Sequence, residues 1–282
     1  MIDETIEEIR RMETHSSSVV AVKATGALRE LLDRDYRNVE SYERDLERNA
    51  GALRRANPSH ASLHKAMREV VEAVLGASDT VEGAKSHTEE VIGRVTEEIE
   101  TGKRRAAAEA AETFEDGETV LTHDFSSTVL EAIETAAGEG RHLTAYVTEA
   151  RPRYLGRKAA RRLAEMGRVE PHLAVDSAAG HLLDRCDRVI VGMDCIVEDT
   201  LYNRVGTFPI AAAADVVDVP VTVVGSQSKI IEDDFVFENE SRPPAEVIRE
   251  PVEGVRIENP AYDATPMSLV DEVVTDRGHY DG

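Results

Sequence analysis

Five short apolar runs separated by helical stretches constrain this chain more than any other feature. The runs are Thr119–Thr122, Leu143–Val147, Val169–Val175, Arg188–Val191 and Val219–Val224. Between them lie Ser127–Ala137, Gly156–Gly167, Ser177–Arg185 and Phe208–Val217, which read as helices. Val- and Ile-rich runs alternating with helices predict a parallel sheet covered on both faces, a doubly wound α/β layer. Residues 1–113 have another texture. They are dense in Ala, Glu, Arg and Leu, with apolar residues at helical spacing, as in Ala27, Leu28, Leu31, Leu32 and Val70, Val71, Val74, Leu75. This spacing predicts four or five helices, the last over about 79–113. The fold class is therefore α/β, with an N-terminal all-helical domain over 1–115 and a doubly wound parallel sheet over 116–282, meeting at the turn Phe114-Glu-Asp-Gly117.

Charge narrows the partners. The 282 residues carry 33 Lys+Arg against 55 Asp+Glu, a net charge of −22, and only six of the basic residues are Lys. Excess acid, scarce Lys and a core rich in Ala and Val resemble proteins of salt-adapted cells, in which molar salt screens self-repulsion to within about 3 Å. Such a surface repels phosphates, so no direct nucleic-acid partner is expected. No apolar run approaches the roughly 20 residues of a bilayer span, so no membrane partner is expected. The N-terminus is charged from residue 3 and has no apolar signal stretch. A cytoplasmic location is the expectation. The two Cys have no Cys/His spacing of a zinc site, and no metal or cofactor is implied.

In doubly wound sheets, ligands sit beyond the carboxyl ends of the strands. The residues there are Thr122-His123-Asp124-Phe125-Ser126-Ser127, Thr148-Glu149-Ala150-Arg151-Pro152, Asp176-Ser177, Gly192-Met193-Asp194 followed by Asn203-Arg204, and Ser226-Gln227-Ser228-Lys229. Hydroxyls, carboxylates and bases at every strand end exceed what a structural sheet edge needs. Part of them serve as caps for the following helices, Ser127 and Ser177 foremost.

FEDGETVLTHDFSS, VTEARPRYLGRKAARRLAEMG, VDSAAG, DRVIVGMDCI, NRVGT, VPVTVVGSQSK and NPAYDATPMSLVDEVVTDRG stand in this order. They resemble a superfamily that contains the α, β and δ subunits of translation initiation factor 2B, ribose-1,5-bisphosphate isomerase and methylthioribose-1-phosphate isomerase. The resemblance covers residues 55–278. It implies a helical domain, a Rossmann-like domain and a homodimer formed through the latter. It also implies a site for a phosphorylated small molecule, a sugar phosphate or nucleotide. The isomerases use a Cys base and an Asp acid. The acid falls on Asp194, an Asn-Lys pair on Asn203 and Arg204, a late phosphate-reaching Lys on Lys229, and a Ser on Ser126.

Three positions depart from the pattern. Asp124 stands where the Cys would be, His15-Ser16-Ser17-Ser18 where an Arg-Gly-rich segment would be, and Asn57 where an Arg precedes Pro-Thr. A bisphosphorylated sugar carries up to about −2 per phosphate, so these losses point first to a regulatory binder without isomerase activity, with Ser126, Ser127, Arg151, Asn203, Arg204 and Lys229 as its ligand residues. The alternative is an aldose–ketose isomerase of a phosphorylated pentose with Asp124 as base and Asp194 as acid. A structural assembly subunit is the third reading. Asp124 and Asp194 facing one pocket would raise the pKa of one of them or hold a cation. The basic run Arg151, Arg153, Arg157, Lys158, Arg161, Arg162 reads either as an anion site or as a solvated helix paired with acidic neighbours.

Overall fold

The computed structural model describes residues 1–11, 16–231, 236–239, 241–250 and 252–280. The chain divides into two compact units, Met1–Gly102 and Lys103–Gly282.

The first unit is helical: α1 (Ile2–Arg10), α2 (Ser17–Ala27), α3 (Val39–Ala56), α4 (Ala61–Val74) and the start of α5 (Val81–Glu112). Asn38 opens α3 with a reciprocal cap, its side chain accepting from Ser41 N at 3.1 Å while the Ser41 hydroxyl faces back to Asn38. Leu28, Leu31, Leu46, Leu53, Leu63 and Met67 are fully buried in one core. Asn57 is buried, and its Oδ1 accepts from Ser59 N at 3.1 Å, closing a turn around Pro58 ahead of α4.

The units divide at Gly102, upstream of the texture change near residue 115 on which the sequence boundary rests. The reason lies inside α5. Its residues Ala107, Ala110 and Ala111, with Phe114, pack into the second unit's core against Val129 and Ile133. A continuous helix hides such a boundary from composition.

The second unit runs β1 (Thr119–His123), α6 (Ser127–Gly138), β2 (Leu143–Thr148), α7 (Leu155–Ala164), β3 (Val169–Ala174), α8 (Ala179–Leu182), β4 (Arg188–Gly192), β5 (Cys195–Val197), β6 (Thr200–Arg204), α9 (Thr207–Val216), β7 (Val221–Val224), β8 (Ile230–Ile231), β9 (Tyr262–Pro266), β10 (Glu272–Thr275) and β11 (Gly278–His279). The main sheet has the order β11-β10-β7-β4-β1-β2-β3. All its pairings are parallel except β10 with the edge strand β11.

Successive residues point to opposite faces of a strand, and the two cores follow this alternation. Val120, Ala145, Val147 and Ile190 pack with α6 and α7, whereas Leu121, Val189, Val191 and Val223 pack with α8 and α9. The region predicted as one helix over 177–185 is a short α8 flanked by 3-10 turns. A second sheet, β8-β5-β6-β9, stands beside the first. It carries Asn203 and Arg204 at the end of β6.

The strand order β3-β2-β1-β4-β7-β10 reverses direction between β1 and β4. Chains leaving those two strands turn to opposite faces and open a crevice at their carboxyl ends. Asp124 leaves β1 there, and Asp194 follows β4.

Candidate active site at the switch point

Asp124 occupies the left-handed region at φ +61, a conformation that Asp adopts more readily than most residues. It is only 7% exposed, and its Oδ1 has no hydrogen-bond partner among the described residues. Burial pushes its carboxyl pKa up, and the Asp194 charge adds to that rise, while Arg204 and His123 oppose it.

Arg204 joins the two acids. Its Nε lies 3.5 Å from Asp124 Oδ2 and 3.9 Å from Asp194 Oδ2. The guanidinium also faces the Tyr262 ring, 4.9 Å from its centroid. The two carboxylates therefore do meet at one point, and the cation between them is a side chain.

Neighbouring residues hold this arrangement. His123 Nδ1 is 2.5 Å from Thr148 Oγ1 and its Nε2 is 2.8 Å from the Val205 carbonyl, a structural role. Gly206, at φ +110, passes so near that a Cβ there would stand 2.5 Å from the His123 ring. Asp263 Oδ2 accepts from Gly206 N at 2.6 Å and Phe208 N at 3.1 Å, fixing the turn between β6 and α9. Lys229 is buried, and its Nζ donates to the Met193 carbonyl at 2.8 Å, one residue before Asp194. Burial lowers its pKa.

The other sequence candidates fall in several places. Ser126, not Ser127, caps α6, accepting from Val129 N at 3.3 Å. Gly192 makes room for it, since a Cβ at that position would lie 2.4 Å from Ser126 Oγ. Ser127 instead lines an open groove of about 570 Å³ with Lys103, Phe125, Glu131, Lys158 and Arg161. Ser177 lies in a 3-10 turn and makes no side-chain cap. Asn203 is buried, and its amide donates to Thr207 Oγ1 at 3.1 Å, within the Arg204 turn. Cys195 is fully buried, and burial pushes its thiol pKa up. Cys186 is pushed up to about 11 by the same cause. Neither is a poised thiolate. His15 lies outside the described residues.

The basic run divides. Arg157 pairs with Glu149 at 2.7 Å and stacks on Tyr154, and Arg162 pairs with Glu165 at 3.1 Å and Glu134 at 3.4 Å, as a solvated helix face would. Arg151 and Arg153 go elsewhere. With Asp124, Arg204, Arg242 and Glu246 they wall a cavity of about 30 Å³. Arg151 is steered there by Asp176, whose carboxylate accepts from Ala150 N and Arg151 N at 2.7 Å each. Arg242 and Glu246 escaped sequence reasoning because they sit in a stretch without strand or helix periodicity.

The chain matches the model of the initiation factor 2 subunit family over residues 13–282. It belongs to this family. The chain is 32% identical over 285 residues to ribose 1,5-bisphosphate isomerase from Haloferax volcanii, with 98% of this chain and 87% of that protein covered. A solved translation initiation factor eIF-2B from Pyrococcus horikoshii superposes with a TM-score of 0.81 at 26% identity, covering 99% of this chain and 96% of that one. The 5-methylthioribose 1-phosphate isomerase of the same organism gives a TM-score of 0.82 over 99% of this chain and 83% of its own, at 22% identity, and so shares the fold.

One expectation is corrected. Six curated relatives at 28–32% identity, each matched over 98–99% of this chain, carry the name ribose 1,5-bisphosphate isomerase. They overturn the first reading, a regulatory binder without isomerase activity. That reading gave weight to Asp124 standing at the Cys position together with cations missing near residues 15–18 and 57. The wall beside Asp124 carries four Arg (151, 153, 204 and 242) against two acids, Asp124 and Glu246.

Among the described residues, no helix is long and apolar enough to cross a membrane.

Proposed function

We propose that this protein is an aldose–ketose isomerase of a phosphorylated pentose, with ribose 1,5-bisphosphate, named for its relatives, as the first candidate. The observation that carries the proposal is Asp124: a buried carboxylate at the switch point, with a raised pKa and an Oδ1 that has no partner among the described residues, held by Arg204 beside a second carboxylate.

The reaction moves one proton from C2 to C1, and no electrons leave the substrate. In ribose 1,5-bisphosphate, a base takes the C2 proton as the bond from C1 to the ring oxygen breaks, and an acid protonates that oxygen. The enol then gains a proton at C1 and loses its C2 hydroxyl proton, leaving the ketose. Asp124 is the base. Desolvation gives its carboxylate the basicity an ordinary exposed Asp lacks. Asp194 is the acid, and Arg204 keeps both oxygens oriented. Lys229 supports the Asp194 loop by donating to the Met193 carbonyl. A homodimer belongs to the same proposal, and light scattering that returns one chain mass overturns that part.

The test is proton NMR in deuterated buffer with molar KCl. Ribose 1,5-bisphosphate should give ribulose 1,5-bisphosphate carrying deuterium at C1. Asp124→Asn should lower turnover about 10²–10⁴-fold, the usual share of a general base. Unchanged turnover in that variant, or no turnover by the parent chain, overturns the proposal.

A further inference from the structure

We propose that Tyr262 is a positioning residue for the candidate site, its ring face holding the Arg204 guanidinium against the Asp124 carboxylate. This rests on the isomerase reading for its effect on rate, but not for its geometry or its effect on Asp124.

The fold brings the two residues together from separate motifs, Asn203-Arg204-Val205-Gly206-Thr207 and Asn259-Pro260-Ala261-Tyr262. β6 and β9 pair antiparallel, and their register sets Arg204 directly opposite Tyr262. Side chains of such a cross-strand pair leave the sheet on one face and meet. The guanidinium accordingly lies over the Tyr262 ring, 4.9 Å from its centroid. The negative face of an aromatic ring attracts a cation, more strongly where water is excluded. Tyr262 is 1% exposed, so the ring offers that face in a desolvated place.

The ring is itself well fixed. Asn239 clamps the Tyr262 backbone, its Nδ2 donating to the carbonyl at 2.8 Å and its Oδ1 accepting from the amide at 3.3 Å. Phe237 packs edge-on against the ring at 5.4 Å and stacks on Tyr202 at 3.9 Å. Contacts of 3.5 and 3.9 Å from Arg204 Nε to Asp124 and Asp194 set a separation more than the orientation of a planar fork. A rigid ring against the fork limits its swing. Arg204 opposes the rise in the Asp124 pKa, so what holds Arg204 also tunes the proposed base. The other groups facing Asp124 come from other elements: His123 on β1, Asp194 after β4, Arg151 and Arg153 before α7, and Arg242 and Glu246 before β9. Arg204 is the cross-strand partner of Tyr262, and a change at Tyr262 reaches Asp124 through it.

The test reads Asp124 directly. Carbon NMR of the Asp carboxyls in molar KCl follows its titration, assigned by the signal that Asp124→Asn removes. The kcat/KM for ribose 1,5-bisphosphate is measured across the same pH range. Tyr262→Leu should move the Asp124 titration to higher pH, because a displaced Arg204 favours the ionised form less. It should lower kcat/KM on the acid limb about two- to thirtyfold, the share of a cation–ring contact. Tyr262→Phe restores the ring and should return both readings to the parent's range. Tyr262→pentafluorophenylalanine keeps the packing but reverses the charge of the ring face. It should shift the titration as Tyr262→Leu does, and it decides the matter if the leucine variant fails to fold. In an Arg204→Gln background, Tyr262→Leu should move the titration no further. An unmoved titration in both the leucine and pentafluoro variants overturns the proposal. A shift in the leucine variant alone assigns the effect to packing and overturns it too. So does a phenylalanine variant shifted as far as leucine, or a shift undiminished in Arg204→Gln. A shifted titration in a chain that turns over no ribose 1,5-bisphosphate keeps the positioning role and removes the isomerase. Turnover with an unmoved titration does the reverse.

Discussion

Asp124 is a carboxylate that folding makes harder to ionise, and this has two consequences of opposite sign. As a base it must be charged, so kcat/KM should rise with pH on an acid limb lying above the usual carboxylate range of about 4. For stability the ionised form is the costly one. Below about pH 4 Asp124 is protonated in both the folded and unfolded chain and carries no penalty. Above that, the unfolded chain ionises first and gains stability, until the raised folded pKa is passed. Asp124→Asn removes the titration. Its melting midpoint should equal the parent's below about pH 4 and exceed it by a few degrees at neutral pH. A calorimetric pH series checks this. A variant less stable than the parent at neutral pH shows that the Arg204 pairing outweighs desolvation.

At the scale of elements, five of the seven strands of the main sheet were readable, β1, β4 and β7 most plainly because they are buried on both faces, whereas the short β10 and β11 were not. Val120-Leu121, Val189-Ile190-Val191 and Val223-Val224 show no polar alternation, and their ends matched to within one or two residues, the start of β7 included. The smaller sheet was not readable. β6 is Thr-Leu-Tyr-Asn-Arg with only alternate residues buried, and the β5–β6 turn uses Glu198 at φ +49 rather than Gly. Its strands gain meaning from pairing with β9, about 60 residues away in the chain, through contacts such as Leu201 with Thr265. The site divides the same way. Asp124, Asp194 and Arg204 follow recognisable strands or motifs, whereas Arg242 and Glu246 are brought in by a segment without periodicity. Asp263 connects the two sheets to chemistry. It sits in β9 and binds the amides that open α9, two residues after Arg204. Asp263→Ala should cost about 0.5–2 kcal/mol, as lost helix caps do, and should lower kcat/KM by loosening Arg204. Asp263→Asn, which keeps an acceptor, should recover most of the stability. Urea unfolding and steady-state rates read both. An alanine variant with an unchanged midpoint and unchanged rates removes the proposed link.

At the scale of the molecule, a chain of net charge −22 combines an acidic surface with a cavity walled by four Arg, the place where the proposed phosphorylated substrate would enter. The two are compatible because salt acts on them unequally. Exposed acids repel across distances longer than the screening length, which falls from about 10 Å at 0.1 M to about 3 Å at 1 M. Their mutual repulsion therefore weakens steeply as salt rises, and with it the penalty on the compact state. The Asp124 and Arg204 side chains are 3.5 Å apart, the first buried and the second half-buried, where dissolved ions screen little. The melting midpoint should thus climb by several degrees between 0.1 and 2 M KCl, while the acid limb of the rate profile set by Asp124 stays in place. Parallel thermal melts and pH–rate profiles across the KCl series measure both. A midpoint indifferent to salt means that the acidic surface is not a source of strain in the fold. An acid limb that slides with salt means that Asp124 is open to solvent and not a desolvated base.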